Sequence, residues 1–369
     1  MSRSSPAGQG VPPGIRRAVV IGTGLIGGSL GAALRQRGWH VTGDDLDAGR
    51  AQRALDLGLL DAVGDDLDAE IVFVATPSAI AGPRAAAVLA QPGRRPDAVV
   101  TDVSSVKAAV VEHVTHPRFV GGHPMAGSEQ AGLDGADPDL FVGASWVLTP
   151  TADTDEGAFA LVAAVLADLG ADVVALTPAD HDRLVAVVSH VPHLVAATLM
   201  NAASKTAQSH DALLRLAAGG FRDMTRVAAG QPSIWPDICA DNAAAIVDEL
   251  DRVLADLAKV RDQVAAVDRA GILSMLQAAS GARRALPAGV TRPDRLAELR
   301  VPVPDRQGVL AEMTTLAGDL GINIYDIEIA HSAEGPRGVL VLVVDAQRAG
   351  ELRGAIAGHG HACTVADLA

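Results

Sequence analysis

Short β-branched runs alternate with Ala/Leu-rich stretches from Arg17 to about Thr149: AVVIG, WHVTGDD, EIVFVATP, DAVVTDVS, RFVGGHP and ASWVLTP. Strands of this length separated by helices predict βαβ units and a mainly parallel sheet with right-handed crossovers. ADVVALTP, ending at Pro178, reads as one last strand of the same sheet. After Thr177 the pattern changes. Up to about Ala285 apolar residues recur at helical spacing with few glycines, which predicts an all-helical domain. The stretch from Asp180 to Ala207 is apolar on nearly all sides, so a helix there must be covered by others, in the chain or across a dimer. One helical layer of about 110 residues is too thin to bury it alone, which favours a homodimer. LPAGVTRPDR then interrupts the pattern, and the remainder reads strand, helix, strand, strand, helix, strand, a ferredoxin-like βαββαβ unit.

Composition narrows the class without changing this picture. With 369 residues, 49 % apolar and 20 % charged, the chain has room for two or three ordinary globular domains. The longest apolar runs fall short of the ~20 residues that cross a bilayer, and MSRSSPAGQGVPPGIRR has no apolar run of signal-peptide length. A cytoplasmic protein with no membrane partner is expected. Cys239 and Cys363 suggest neither a disulfide framework nor a metal site. A net charge of −14 and few aromatic residues disfavour a nucleic-acid surface. A few local arginines can still dominate one pocket for a small anionic substrate.

Gly22, Gly24 and Gly27 form G-x-G-x-x-G directly after the strand AVVI and directly before an Ala/Leu helix. Glycines there permit the tight turn, close approach of a pyrophosphate and close helix–strand packing, while the N–H groups around Leu25 and Ile26 face the phosphates. An acid belongs about 20 residues on, at the ribose hydroxyls. Asp45 in VTGDD is the better placed, and adjacent Asp44 could exchange roles with it. Either carboxylate would repel a 2′-phosphate, so NAD is expected over NADP. Thr76, in ATP at the end of the third strand, falls where a nicotinamide ribose would lie.

A dinucleotide fold does not name a reaction. TDVSSVK (101–107) and GGHPMAGSE (121–129) each follow a predicted strand, so both loops should gather at the carboxyl ends of the sheet, beside the nicotinamide. GTGLIGGSL, TDVSSVK, GGHPMAGSE, HDRLVAVVSHVPHLVA and FRDMTRVA, in this order, closely resemble the prephenate and arogenate dehydrogenases, over about residues 17–285. The resemblance implies a fold class of an α/β Rossmann domain, an all-α dimerisation domain and a ferredoxin-like α+β domain. The expected boundaries are a disordered tail over 1–15 and domains over 16–176, 177–287 and 296–369.

The same resemblance implies that His123 is the catalytic histidine and Ser105 its hydrogen-bond partner. A neutral imidazole can take or polarise the hydroxyl proton of a cyclohexadienol while hydride leaves C4 and loss of CO₂ from C1 aromatises the ring. No metal is needed. Arg226 matches the family's carboxylate-binding arginine, and a planar guanidinium suits bidentate capture. Arg222, four residues earlier on the same helical face, could join it or form a surface ion pair with Asp223 or Asp182. His190 and His193 match pocket-lining positions, with Pro192 between them to kink the helix. His181 and Asp182 open that helix and could gate the cleft through Arg226, or Asp182 could cap the helix. Prephenate and arogenate differ only in keto versus amino on the side chain; Glu129 and Gln130 are candidates for telling them apart.

VPDRQGVLAEM followed by GINIYDIEIAH resembles an ACT domain, which implies ligand-contact positions at Asp305, Gly308 and Asn323 and L-tyrosine as a feedback effector; a purely structural dimerisation module is the alternative. Two other classes compete. One is a non-catalytic NAD-linked sensor, against which the histidine and the arginines argue. The other is a β-hydroxyacid dehydrogenase, which would carry a lysine where this chain has SHVPH.

Overall fold

A computed structural model describes residues 14–127, 132–208, 213–285, 296–304, 308–331 and 337–367. The chain divides into two compact units, Met1–Arg261 and Asp262–Ala369.

In the first unit β1 (Arg17–Ile21) leads through the glycine turn into α1 (Leu25–Gln36) and β2 (His40–Asp44). Then follow α2 (Ala48–Asp56), β3 (Ala62–Val63), β4 (Ile71–Val74), α3 (Ser78–Leu89), β5 (Val99–Asp102), α4 (Ala108–Glu112) and β6 (Phe119–Pro124). β7 (Ser145–Thr149), α5 (Glu156–Asp168) and β8 (Asp172–Ala175) complete the sheet, in the order β3-β2-β1-β4-β5-β6-β7-β8. The sheet is mainly parallel, as the pattern predicts, and ADVVALTP is its last strand; β7 runs antiparallel to β6 and carries β8 with it. Strand order reverses beside β1, opening a crevice at the carboxyl ends of β1 and β4, where doubly wound sheets bind ligands.

Residue alternation builds a core on each face of the sheet. Ala18 and Val20 of β1 pack with Leu30, Leu34, Phe73 and Trp146, whereas Val19 and Ile21 pack with Val72, Val74 and Ala85.

The helical region opens at Thr177, whose side chain accepts from the Asp180 N–H, with Pro178 at the first helical position. The helix predicted over Asp180–Ala207 is three pieces: α6 (Pro178–Val185), a π turn (Ala186–His190) and α7 (Val191–Ala207). The irregularity is therefore this wide turn, in which the Val191 N–H reaches Ala186 O, five residues back. Pro192 follows directly and has no N–H to continue an ordinary ladder. Pro178–Ala207 is also long and apolar enough to cross a bilayer, contrary to the reading of short runs. Its polar residues His181, Asp182 and His190 are nevertheless buried against the protein, which marks a packed helix. Leu184, Val187 and Val188 remain exposed, so within one chain this apolar stretch is only half covered. α8 (Gly219–Thr225), α9 (Trp235–Asp241) and α10 (Ala243–Ala265) follow.

The second unit holds α11 (Arg269–Arg284) and the run β9 (Leu296–Pro304), α12 (Val309–Asp319), β10 (Ile324–His331), β11 (Arg337–Asp345), α13 (Ala346–Gly358) and β12 (Thr364–Asp367). Its antiparallel sheet has the order β10-β11-β9-β12, the arrangement expected of a βαββαβ unit, with a core that includes Leu299, Met313, Leu342 and Leu352.

Candidate active site

The glycine turn is shaped by contacts that exclude side chains. Gly22 has φ +94°, and a Cβ on it would stand 2.4 Å from Ala75 O; a Cβ on Gly27 would stand 1.9 Å from Gly22 O. Gly24 precedes α1 without a side-chain cap, so the N–H groups of Leu25 and Ile26 open onto the crevice as helix-start donors. Asp45 closes the turn: its Oδ2 accepts from the Thr23 N–H at 2.8 Å, and its Oδ1 accepts from Asp47 N–H at 2.9 Å. Arg50 Nη1 lies 3.3 Å from the same carboxylate. Burial alone would raise this carboxyl's pKa, but those N–H groups and Arg50 outweigh burial and hold it below the ordinary value. Asp44 instead faces Arg84 at 3.5 Å with a half-exposed side chain. Thr76 Oγ1 is buried at the end of β4 without a hydrogen-bond partner. The cradle and this orphaned hydroxyl fit a dinucleotide.

His123 lies in β6 itself, paired with Val147 of β7. Its expected bond to Ser105 is not among the hydrogen bonds of the described residues. The reason is the direction of the ring: Nδ1 faces α6 and meets His181 Nε2 at 2.8 Å. His181 Nδ1 in turn lies 2.7 Å from Asp182 Oδ1. The Asp182 carboxylate also accepts from the N–H groups of Lys107 (2.7 Å) and Ala108 (2.8 Å), so it caps the start of α4 rather than its own helix. Thr177 already caps α6. Among the described residues the ion pair of Asp182 is with His181, and none with an arginine is seen.

Beneath His123, the fully buried Lys107 ammonium donates to Asp102 Oδ2 and to Gly122 O at 2.6 Å. Asp102 also accepts from the Ser104 N–H (2.9 Å) and the Gly122 N–H (3.0 Å). Burial lowers the Lys107 pKa against the opposing pull of Asp102. Burial first, and the Lys107 charge second, hold the His123 pKa well below 6.5, so the imidazole is neutral at neutral pH.

His190 is turned inward by the π turn and is 2 % exposed; its Nδ1 lies 3.2 Å from Asn242 Nδ2, which also donates to Asp182 O. Burial lowers its pKa to about 4. His193 is half-buried and stacks on Trp235 at 3.7 Å between centroids, while His190 meets the same indole edge-on at 6.1 Å. Arg226 opens a 3-10 turn, Arg226–Ala229, that packs on α7; a Cβ on the next residue, Gly230, would lie 3.5 Å from His193 Cε1. Arg222 is exposed, and its Nε donates to Ala217 O at 3.2 Å rather than to Asp223 or Asp182. The buried Lys107, His181, Asp182 and His190 thus form one polar group behind the half-buried His123, and His193, Trp235 and the Arg226 turn form a second beside it. Sequence reasoning missed the part played by His181 and Asp182, and passed over Lys107 and Trp235. One signal was available: Asp182 lies five residues past Thr177, too deep in the helix to be its cap.

Residues 30–175 match the nucleotide-binding domain of prephenate dehydrogenase, and residues 177–278 match its dimerization domain. The prephenate dehydrogenase of Bacillus subtilis (strain 168) is 33 % identical over 335 residues, covering 87 % of this chain and 90 % of that protein. The chain belongs to the prephenate dehydrogenase family. Two solved structures extend the likeness. Synechocystis arogenate dehydrogenase is 35 % identical with a TM-score of 0.63, covering 72 % of this chain and 98 % of its own. The A. aeolicus prephenate dehydrogenase in complex with hydroxyphenyl propionate and NAD+ is 28 % identical with a TM-score of 0.67, covering 73 % and 97 %. As a member of the prephenate dehydrogenase family, the protein is an oxidoreductase. In the second unit, Asp305 lies outside the described residues, as do Glu129 and Gln130 of the first. Gly308 sits at the start of α12 with φ +93°, and Asn323 is exposed beside β10.

Proposed function

We propose that the protein oxidises prephenate with NAD and releases CO₂, giving 4-hydroxyphenylpyruvate for tyrosine synthesis. The observation that carries this reading is His123: a half-buried, neutral imidazole held through Nδ1, at the carboxyl edge of the sheet that forms the dinucleotide cradle. NAD, when bound, accepts the hydride from substrate C4. Gly22, Gly24 and Gly27 with Leu25 and Ile26 would hold its pyrophosphate, Asp45 its adenine ribose and Thr76 the nicotinamide end. His123 polarises the C4 hydroxyl, Arg226 and His193 bind the substrate's carboxylates, and His190 supports the pocket wall from inside.

Arogenate is a second reading, supported by the 35 % identity to the Synechocystis arogenate enzyme. Prephenate is preferred because the match to the Bacillus prephenate dehydrogenase leaves too little of this chain uncovered to omit the second unit. That unit is read as an ACT domain, with Asp305, Gly308 and Asn323 near a tyrosine site. The protein is read as a cytoplasmic homodimer, supported by the match to a dimerization domain and by the exposed apolar residues Val187, Val188, Leu254 and Leu257 on helices.

The test is steady-state turnover of prephenate and arogenate with NAD and NADP, for the native protein and His123→Asn. Prephenate with NAD should give the highest kcat/KM, and the variant should lose ~10²- to 10⁴-fold in kcat while still binding NAD. Turnover of neither substrate, or a fully active variant, would refute the assignment.

A further inference from the structure

The proton balance of the proposed reaction is unusual for a dehydrogenase. Hydride leaves C4 with its electron pair, and the C–C pair released with CO₂ from C1 completes the aromatic ring. The C4 oxygen begins as a hydroxyl and ends as a phenol, so it keeps one proton. A base at that oxygen therefore holds the proton only while charge develops, and returns it.

The hydrogen bonds around His123 fit such a base. Lys107 and Ala108 present only N–H donors to Asp182, so Asp182 is an anionic acceptor. It must then receive a proton from His181 Nδ1. With its proton on Nδ1 and none on Nε2, His181 can only accept from His123 Nδ1–H. His123 is left with Nε2 as its basic nitrogen. His181 is wholly buried and Asp182 is 5 % exposed, with both carboxylate oxygens occupied. The chain of hydrogen bonds therefore stops inside the protein.

Resting on the proposed function, we infer that His181 and Asp182 are positioning residues of a closed proton loan. Asp182 fixes the tautomer of His181, and His181 fixes that of His123 and shares the imidazolium charge until the proton goes back to the product oxygen. The charged and titratable groups facing His123 are Lys107 before α4, paired with Asp102 of β5, His181 and Asp182 of α6, and His190 of the π turn. Burial and the charges of Lys107, His181 and His190 oppose protonation of His123, whereas the hydrogen bond from its Nδ1–H to His181 Nε2 favours it by spreading the positive charge onto the second ring.

Two substitutions separate this role from simple packing. His181→Asn can keep a donor for Asp182 but falls short of His123, whereas His181→Gln can place an amide oxygen where His181 Nε2 stood. In the full-length enzyme, His181→Asn should lower kcat on the order of 10- to 100-fold with KM and NAD affinity within about twofold. The acid limb of its kcat/KM profile should move to lower pH, and His181→Gln should recover most of the rate. Unchanged kcat in His181→Asn, an acid limb that moves to higher pH, or equal losses in both variants with a raised KM would overturn the inference. ¹⁵N NMR of the histidine-labelled native enzyme tests it without any substitution: His123 and His181 should both appear as Nδ1–H tautomers, and an Nε2–H tautomer at His123 would overturn it. If His123→Asn is inactive while His181→Asn is fully active, only this inference fails; if His123→Asn is active, the proposed function fails with it.

Discussion

Replacing Lys107 by methionine isolates the buried ion pair beneath His123. The two side chains have similar volume, so little cavity forms, and the change removes chiefly a charge and its donors. Asp102 is then left in the interior with the N–H groups of Ser104 and Gly122 but no cation, and Gly122 O loses its 2.6 Å donor. Removing one partner of a buried pair costs about 3–5 kcal/mol. The two surviving N–H donors keep the carboxylate near the lower end, and the bare carbonyl adds about 1 kcal/mol. A total of about 4 kcal/mol is a large share of the ~5–15 kcal/mol that holds a typical domain folded. Equilibrium unfolding in urea at pH 7 should show a lower midpoint at an unchanged slope. The same variant should move the acid limb of kcat/KM to higher pH, because the Lys107 charge is one cause of the depressed His123 pKa. A loss of stability below about 1 kcal/mol would refute the claim that the pair is held together by its uncompensated alternative.

Asp45→Ala removes the carboxylate proposed to hold the adenine ribose and frees Arg50, so the kcat/KM ratio of NAD to NADP should fall on the order of tenfold; an unchanged ratio would transfer the role to Asp44. Arg226→Ala should weaken substrate binding by about 2–5 kcal/mol, read mostly in KM, with partial recovery in Arg226→Lys and unaltered NAD affinity; an intact KM with a lower Tm would make the residue structural. The pKa of His190 is about 4 when folded against 6.5 as an ordinary histidine, so between these values the unfolded chain binds the extra proton. Stability should therefore be full above about pH 6.5 and fall by about 3 kcal/mol toward pH 4, a slope that His190→Gln should flatten and that, if unchanged in the variant, belongs to other groups.

The parts of this protein that short stretches of chain decide are legible in its sequence. The turn at Gly22 needs a positive φ and room beside Ala75 O, and glycine is the residue that meets both needs. Alternating runs such as EIVFV can be buried on both faces only in a sheet covered by helices, which set the first unit's architecture. Thr177 and Pro178 mark a helix start by chemistry contained in neighbouring residues. Tertiary structure decided what depended on direction and distance. His123 and His181 are 58 positions apart, and nothing local to GGHPMAG says that the ring turns its Nδ1 toward α6 and not toward Ser105. Pro192 hints at an irregular helix, but only the wide turn before it aims His190 inward at Asn242. Nothing in TDVSSVK singles out Lys107, whose charge meets Asp102 only where β5, β6 and α6 close around it. Hydrogen bonds and ion pairs act over a few ångströms, so the side chains they join are chosen by how the elements pack, which spacing along the chain does not record.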